Sequence, residues 1–151
     1  MPVIKVQQQD FSIDLEVKAL LGTCKNPGAV VTFSGLVRGN DEASQLTQMT
    51  LEHYPDMTEK ALLEIASEAM KRWSLEECLV LHRFGTLQVG DQIVLVVTIS
   101  QHREAAFEAA SFLMDWLKTK APFWKKEKSG DNETWVEAKA IDDKKSRDWE
   151  A

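Results

Sequence analysis

The stretch Gln92-Ile-Val-Leu-Val-Val-Thr-Ile-Ser100 constrains the fold more than any other part of the chain. From Ile93 to Ile99 only Thr98 is polar, and apolar residues do not alternate with polar ones. A strand with one wet face reads as apolar, polar, apolar; a continuous apolar run of this length predicts a strand buried on both faces. It falls far short of the roughly 20 residues that cross a bilayer.

Shorter elements surround that strand. Val3 to Val6 alternates, predicting an edge or half-buried strand. Ser12 is placed to cap a short helix through Leu21, with Asp14 and Glu16 in its first turn and Gly22 at its end. After the Asn26-Pro27-Gly28 turn, Ala29 to Arg38 has the β-branched, apolar make-up of a central strand. Gly39-Asn40-Asp41 breaks it, and Leu46 to His53 reads as its return partner. Pro55 to Trp73 is amphipathic, its stripe running from Met57 through Leu62, Ile65 and Ala69 to Trp73, and Asp56 with Glu59 has the form of a capping box. Cys78 to Phe84 predicts a strand and Gly85 to Asp91 a turn-rich connection. A second long helix runs from after Ser100 to about Lys120, with Phe107, Ala110, Leu113, Met114 and Leu117 as its buried stripe.

Pro122 lacks an amide donor and disfavours helix at Ala121, so that helix stops there. Two short strands follow, Phe123 to Lys128 and Thr134 to Ala140. Hairpin-like connections outnumber crossovers, which predicts a single-domain α+β fold over residues 1–141 with mostly antiparallel strands and two long helices. Residues 142–151 read as a charged, loose tail. A length of 151 residues with 44% hydrophobic and 28% charged side chains suits one globular domain. Cys24 and Cys78 form no C-x-x-C pair and read as reduced thiols in or near the core. The opening Met-Pro-Val-Ile-Lys-Val has no long apolar region, so the chain reads as cytoplasmic.

The residues from Trp116 to Lys128 run against the whole. They hold five lysines and one acid inside a protein of formal charge −6. Concentrating cations costs self-repulsion, which makes sense where an anion or a reactive amine is wanted. Lys118 sits on the helix and Lys125 beyond Pro122, so the two amines can converge at one corner. Phe123 and Trp124 are poor choices for a merely solvated surface, and among aromatic walls and other ammonium groups an amine's pKa falls. It then serves as nucleophile, base or proton donor. Arg38 closes a strand before Gly39 and can stand at a sheet rim, as a ligand or as a solvated end. His102-Arg103 opens a helix, where free N–H groups point outward; the pair holds an anion there or bends into solvent, offset by Glu104.

None of the three histidines has metal-ligand spacing, so no metal is expected. Phosphate-loop, dinucleotide, serine-hydrolase and metalloprotease motifs are missing, and neither cysteine neighbours a histidine. An enzyme built from these residues would use amines, guanidiniums and imidazole on an anionic substrate.

One ordered set of segments resembles a known family. It comprises Val30-Val-Thr-Phe-Ser-Gly-Leu-Val-Arg38, Leu51-Glu-His-Tyr-Pro-Asp-Met-Thr-Glu-Lys60, His82-Arg-Phe-Gly85, Ser100-Gln-His-Arg103 and Lys118-Thr-Lys-Ala-Pro-Phe-Trp-Lys-Lys-Glu127. Over about residues 29–140 the chain is similar to the catalytic subunits of molybdopterin synthase. It departs at Leu36, Gly39 and Lys139, where that family suggests Lys, Asn and Arg.

The resemblance implies an α/β hammerhead-type fold and a homodimer at the centre of a heterotetramer. Each subunit would dock a small ubiquitin-like carrier whose C-terminal Gly-Gly ends in a thiocarboxylate. Sulfur passes from that tail to cyclic pyranopterin monophosphate, building the dithiolene of molybdopterin. No cofactor, metal, nucleic acid or membrane is implied.

By position, Lys118 matches the essential lysine and Lys125 the second active-site lysine. Leu36-Val37-Arg38, His102-Arg103 and Lys125-Lys126-Glu127 match substrate-binding segments, and Phe33, Phe123 and Trp124 are expected in the pocket wall. Two other readings compete. A docking module for a ubiquitin-like tail would use the same basic, aromatic groove. A single-strand nucleic-acid binder would use Lys with Phe and Trp, against the chain's net charge.

Overall fold

β6 (Gln92–Ser100) is buried along all but its first residue. The computed structural model describes residues 1–39, 46–129 and 132–136; the predicted tail and Lys139 lie outside them. Around β6 a four-stranded sheet forms in the order β1-β4-β6-β2, from β1 (Val3–Gln7), β2 (Ala29–Leu36) and β4 (Glu77–Arg83). β1 runs parallel to β4, while β4–β6 and β6–β2 are antiparallel.

Alternation along β4 and β6 splits the core in two. Leu79, Leu81, Leu95, Val97 and Ile99 face α1 (Ile13–Leu21), whose Leu20 completes their cluster. Cys78, Val80, Val94 and Val96 face the opposite way, toward α2 (Met57–Trp73) and α3 (Arg103–Thr119). Each fully buried aliphatic side chain contributes about 1.5–3 kcal/mol, so covering both faces of this sheet is a principal source of stability.

A second sheet has the order β5-β3-β7-β8, from β3 (Leu46–His53), β5 (Gly85–Gln88), β7 (Phe123–Ser129) and β8 (Asn132–Val136), with its pairings antiparallel. Met49, Leu51 and Leu87 join it to the core on the α2–α3 side. The arrangement is α+β and mostly antiparallel, with two helices of 17 residues.

Several local expectations need correction. β2 is an edge strand, not a central one; Val30, Phe33 and Leu36 are apolar yet exposed. β3 does not return along β2 but lies in the other sheet. The Gly85–Asp91 connection contains β5, held by Leu87 in the core. In α3 the buried face is centred on Ala106, Ala109, Ala110 and Leu113, whose small residues let the helix lie close to the sheet, and Phe107 is turned outward. Met57, at the very start of α2, is likewise exposed.

Other local chemistry follows the sequence. Ser12 accepts from the Leu15 N–H at 3.3 Å, and Glu59 accepts from the Asp56 N–H at 2.7 Å. Lys120 caps α3, its N–H donating to the Trp116 carbonyl at 2.8 Å just before Pro122.

Candidate active site

The end of α3 delivers Lys118 to a corner where both sheets meet. Past Pro122 the chain reverses into β7, which pairs with β3 so that Phe123 lies opposite His53 and Lys125 opposite Leu51. Successive strand residues point to opposite faces, so Phe123 and Lys125 share one face and Trp124 and Lys126 the other. The Phe123 ring stacks on His82, with centroids 3.9 Å apart and planes inclined 20°. His53 sits tilted between Phe84, at 4.5 Å, and Phe123, at 5.9 Å. On the other face Trp124 meets Tyr54 edge to face at 4.4 Å.

His82, next to last in β4, is in register with Cys78 and Val80, and so points to the α2–α3 side. It is buried, and its Nδ1 is 2.8 Å from the Arg83 carbonyl oxygen. An acceptor there requires hydrogen on Nδ1, leaving the lone pair of the neutral ring on Nε2. Burial pushes the ring's pKa down to about 4; Lys125, Lys118 and His53 add repulsion, against the opposing pull of the Arg83 carbonyl. One imidazole therefore feels both amines, and the two lysines, seven residues apart, approach the same corner.

The neighbouring histidine has a fixed tautomer too. The Thr58 hydroxyl gives its only hydrogen to the Tyr54 carbonyl, at 2.7 Å, so across 3.1 Å it accepts from His53 Nδ1–H.

Arg38 belongs to this end of the molecule. β2 is antiparallel to β6, with Gly35 opposite Val94, and Val94 in turn lies opposite His82 on β4. A bulge between Gly35 and Leu36 follows, then buried Val37, whose N–H donates to the Asp91 carbonyl and whose carbonyl accepts from Gly90. A Cβ on Gly35 would lie 2.7 Å from Val94, so the bulge needs glycine. Leu36 and Phe33 are exposed along the edge strand, and Arg38 is exposed beyond it.

His102 and Arg103 lie at the opposite end. His102 is the N-cap of α3, and Arg103 its first residue. Sixteen residues at about 1.5 Å each put His102 roughly 24 Å from Lys118 along the helix axis. That N-terminus is pinned to the start of β2: Gly28 N–H donates to the Ser100 carbonyl at 2.9 Å, and the Ser100 hydroxyl donates to the His102 carbonyl. Within one chain, then, Arg38, Lys118, Lys125, Lys126, Phe123 and Trp124 gather near one end of the sheets, and His102 and Arg103 do not. The Glu127 side chain lies outside the described ones; its backbone pairs with Met49.

The chain's own thiols are poor nucleophiles. Burial and Glu77 push Cys78 up to about 12, while burial, Glu76 and Glu77 raise Cys24. Among the described residues no group of three or more His, Cys, Asp or Glu could hold a metal ion.

The family pattern described as MoaE protein matches residues 6–120. The chain belongs to the MoaE family. The molybdopterin synthase catalytic subunit of Mesorhizobium japonicum is 49% identical over 152 residues, covering 99% of this chain and 94% of that one. A MoaE structure from Burkholderia ambifaria superposes with a TM-score of 0.85 at 45% identity, covering 100% of this chain and 99% of that one. A Helicobacter pylori structure of a complex of subunits 1 and 2 of molybdopterin-converting factor shares the fold at TM-score 0.74 and 21% identity, covering 89% of this chain and 90% of that one. This MoaE chain is accordingly a molybdopterin synthase catalytic subunit by family, an enzyme of molybdenum cofactor biosynthesis.

The buried histidine and its stack on Phe123 were not singled out in the MoaE sequence, although a signal was present. His82 stands two residues beyond Val80 in a strand whose even positions face the helices, so period-two counting places it on the core side. No sequence signal pairs it with Phe123, because that contact depends on how the two sheets join.

Proposed function

We propose that this MoaE chain transfers sulfur from the C-terminal thiocarboxylate of a small ubiquitin-like carrier protein to cyclic pyranopterin monophosphate, forming the dithiolene of molybdopterin. The observation that carries the reading is the approach of Lys118 and Lys125, from a helix end and the following strand, to one aromatic-walled corner. Two ammonium groups in a partly desolvated corner suit a thiocarboxylate tail and the charge that develops as sulfur attacks. Arg38, at the same end, suits the phosphate through its planar guanidinium. Leu36 and Val37 act as wall and backbone positions, with Phe33 and Trp124 as further walls; Lys126 and Glu127 complete the substrate-binding segment of β7.

A carrier partner accords with the family's description as a catalytic subunit and with the complex of two different subunits from Helicobacter pylori. His102 and Arg103 cannot reach the phosphate of a substrate held at Lys118 of their own chain, about 24 Å away. In this reading they complete the pocket of a second MoaE copy in a homodimer, within a heterotetramer working in the cytoplasm. No helix among the described residues is long and apolar enough to cross a membrane.

The test is mass spectrometry of product formed from the cyclic pterin and a thiocarboxylated Gly-Gly carrier. Lys118→Ala lowers the transfer rate by about a thousandfold, matching the loss of one preorganised electrostatic group; near-normal transfer by that variant would contradict the assignment. Carrier binding without product from the wild-type chain would leave a docking module instead.

A further inference from the structure

We propose that Asp91 is a positioning residue for Arg38: the turn it closes, Gln88 to Asp91, clasps the backbone of Val37 and so sets where the guanidinium meets the phosphate of the substrate. The inference rests on the reading of Arg38 above, and it adds a second residue that governs affinity for the phosphorylated substrate.

Arg38 needs such a device because of where β2 ends. After the bulge at Gly35 the last pair with β6 is Leu36 and Gln92, so the chain leaves the ladder before it reaches Arg38. An exposed arginine on a free backbone spreads its guanidinium over many positions, and holding it in one costs entropy. Val37 supplies the anchor. Its side chain is buried in the core, its N–H donates to the Asp91 carbonyl at 2.9 Å, and its carbonyl accepts from the Gly90 N–H at 2.7 Å. The Arg38 Cα lies one peptide step, about 3.8 Å, from that of Val37. Beyond the arginine, a Cβ on Gly39 would stand 3.5 Å from Val89 Cγ1, so the same turn flanks Arg38 on both sides.

The clasp is fixed from within. The Asp91 N–H donates to the Gln88 carbonyl at 3.0 Å, and an Asp91 carboxylate oxygen accepts from the Gln88 N–H at 2.8 Å. Gly90 has a φ of +94°, and nothing lies within 4 Å of a Cβ built on it, so glycine is there for backbone shape and not for packing. Buried Leu87 on β5 and buried Ile93 on β6 tie the two ends of the turn to the core. Asp91 therefore acts twice: its side chain closes the turn, and its carbonyl receives Val37. Without the carboxylate the Gln88 N–H loses its acceptor, the Asp91 carbonyl is no longer held in place, and Val37 and Arg38 gain freedom.

The experiment is a double-mutant cycle on the full chain, with thiocarboxylated carrier and cyclic pterin. Asp91→Ala raises KM for the pterin about tenfold with kcat within about twofold, as for lost binding common to ground and transition states. Asp91→Asn keeps an oxygen for the Gln88 N–H and holds KM within about twofold of wild type. In an Arg38→Ala background, which itself raises KM, Asp91→Ala adds less than about twofold, because it acts through the missing guanidinium. A purely structural role would add its full effect in that background. Hydrogen exchange at the Val37 amide of the 15N-labelled chain reads the clasp without turnover: Asp91→Ala speeds it at least about tenfold. Unchanged Val37 protection, an unchanged KM in Asp91→Ala, or independent effects of the two substitutions would overturn the proposal. If Arg38→Ala left KM unaltered, the phosphate reading of Arg38 would fall as well; a raised KM there with none in Asp91→Ala would sink the clasp alone.

Discussion

At the scale of single residues, His82 couples the site to stability. Its folded pKa of about 4 lies below the ordinary 6.5. Above pH 6.5 the ring is neutral folded or unfolded and contributes no pH dependence. Between about 6.5 and 4 the unfolded chain takes up a proton that the folded chain refuses, so stability falls as pH falls. The full loss, reached near pH 4, is on the order of 3 kcal/mol. Urea unfolding of wild type and His82→Gln across that window reads it: the wild-type curve drops more steeply, and parallel curves would show that His82 is not the group responsible. Lys118 stood out as a candidate in the sequence because Pro122 and the lysine run bracket it. His82 did not, because burial near a strand end looks the same in sequence whether the side chain meets a leucine or stacks on an aromatic ring.

At the scale of elements, hydrophobic periodicity located both long helices and the buried strand β6, yet misplaced the neighbours of β2 and β3. The pattern along a strand reports which faces are covered; it does not say which strand lies beside it. β2 is rich in β-branched residues and still forms an edge, with Phe33 exposed. β5 escaped notice because four residues between turn signals leave too short a pattern, and only Leu87 is buried.

The junction of β2 with α3 illustrates a constraint that periodicity cannot show. A Cβ on Gly28 would stand 2.1 Å from the Gln101 carbonyl oxygen, so Gly28→Ala must push the start of α3 away from the sheet. The expected cost is about 1–3 kcal/mol, the usual range for forced overpacking. Urea denaturation measures it, and an unchanged midpoint would mean that the His102 segment yields freely.

At the scale of the whole molecule, one rigid helix keeps the candidate anion-binding residues apart. α3 spans 17 residues from Arg103 to Thr119, with Lys118 in its last turn. A small phosphorylated substrate cannot bridge the roughly 24 Å between its ends. The sequence brought these residues together as candidates; only the three-dimensional fold separates them. Two copies related by a twofold axis can bring the N-terminus of one α3 to the C-terminal corner of the other, because each surface then meets the other's counterpart.

The measurement that tests this most directly mixes two inactive variants. Lys118→Ala and Arg103→Ala chains are co-refolded or exchanged in equal amounts, and sulfur transfer is followed with thiocarboxylated carrier and cyclic pterin. If each pocket draws Lys118 from one chain and Arg103 from the other, every mixed dimer has one intact pocket, and activity returns to roughly a quarter of wild type under random pairing. Activity that stays at the level of the separate variants, with mixed dimers shown to form, would contradict the shared corner and the pocket assignment built on it.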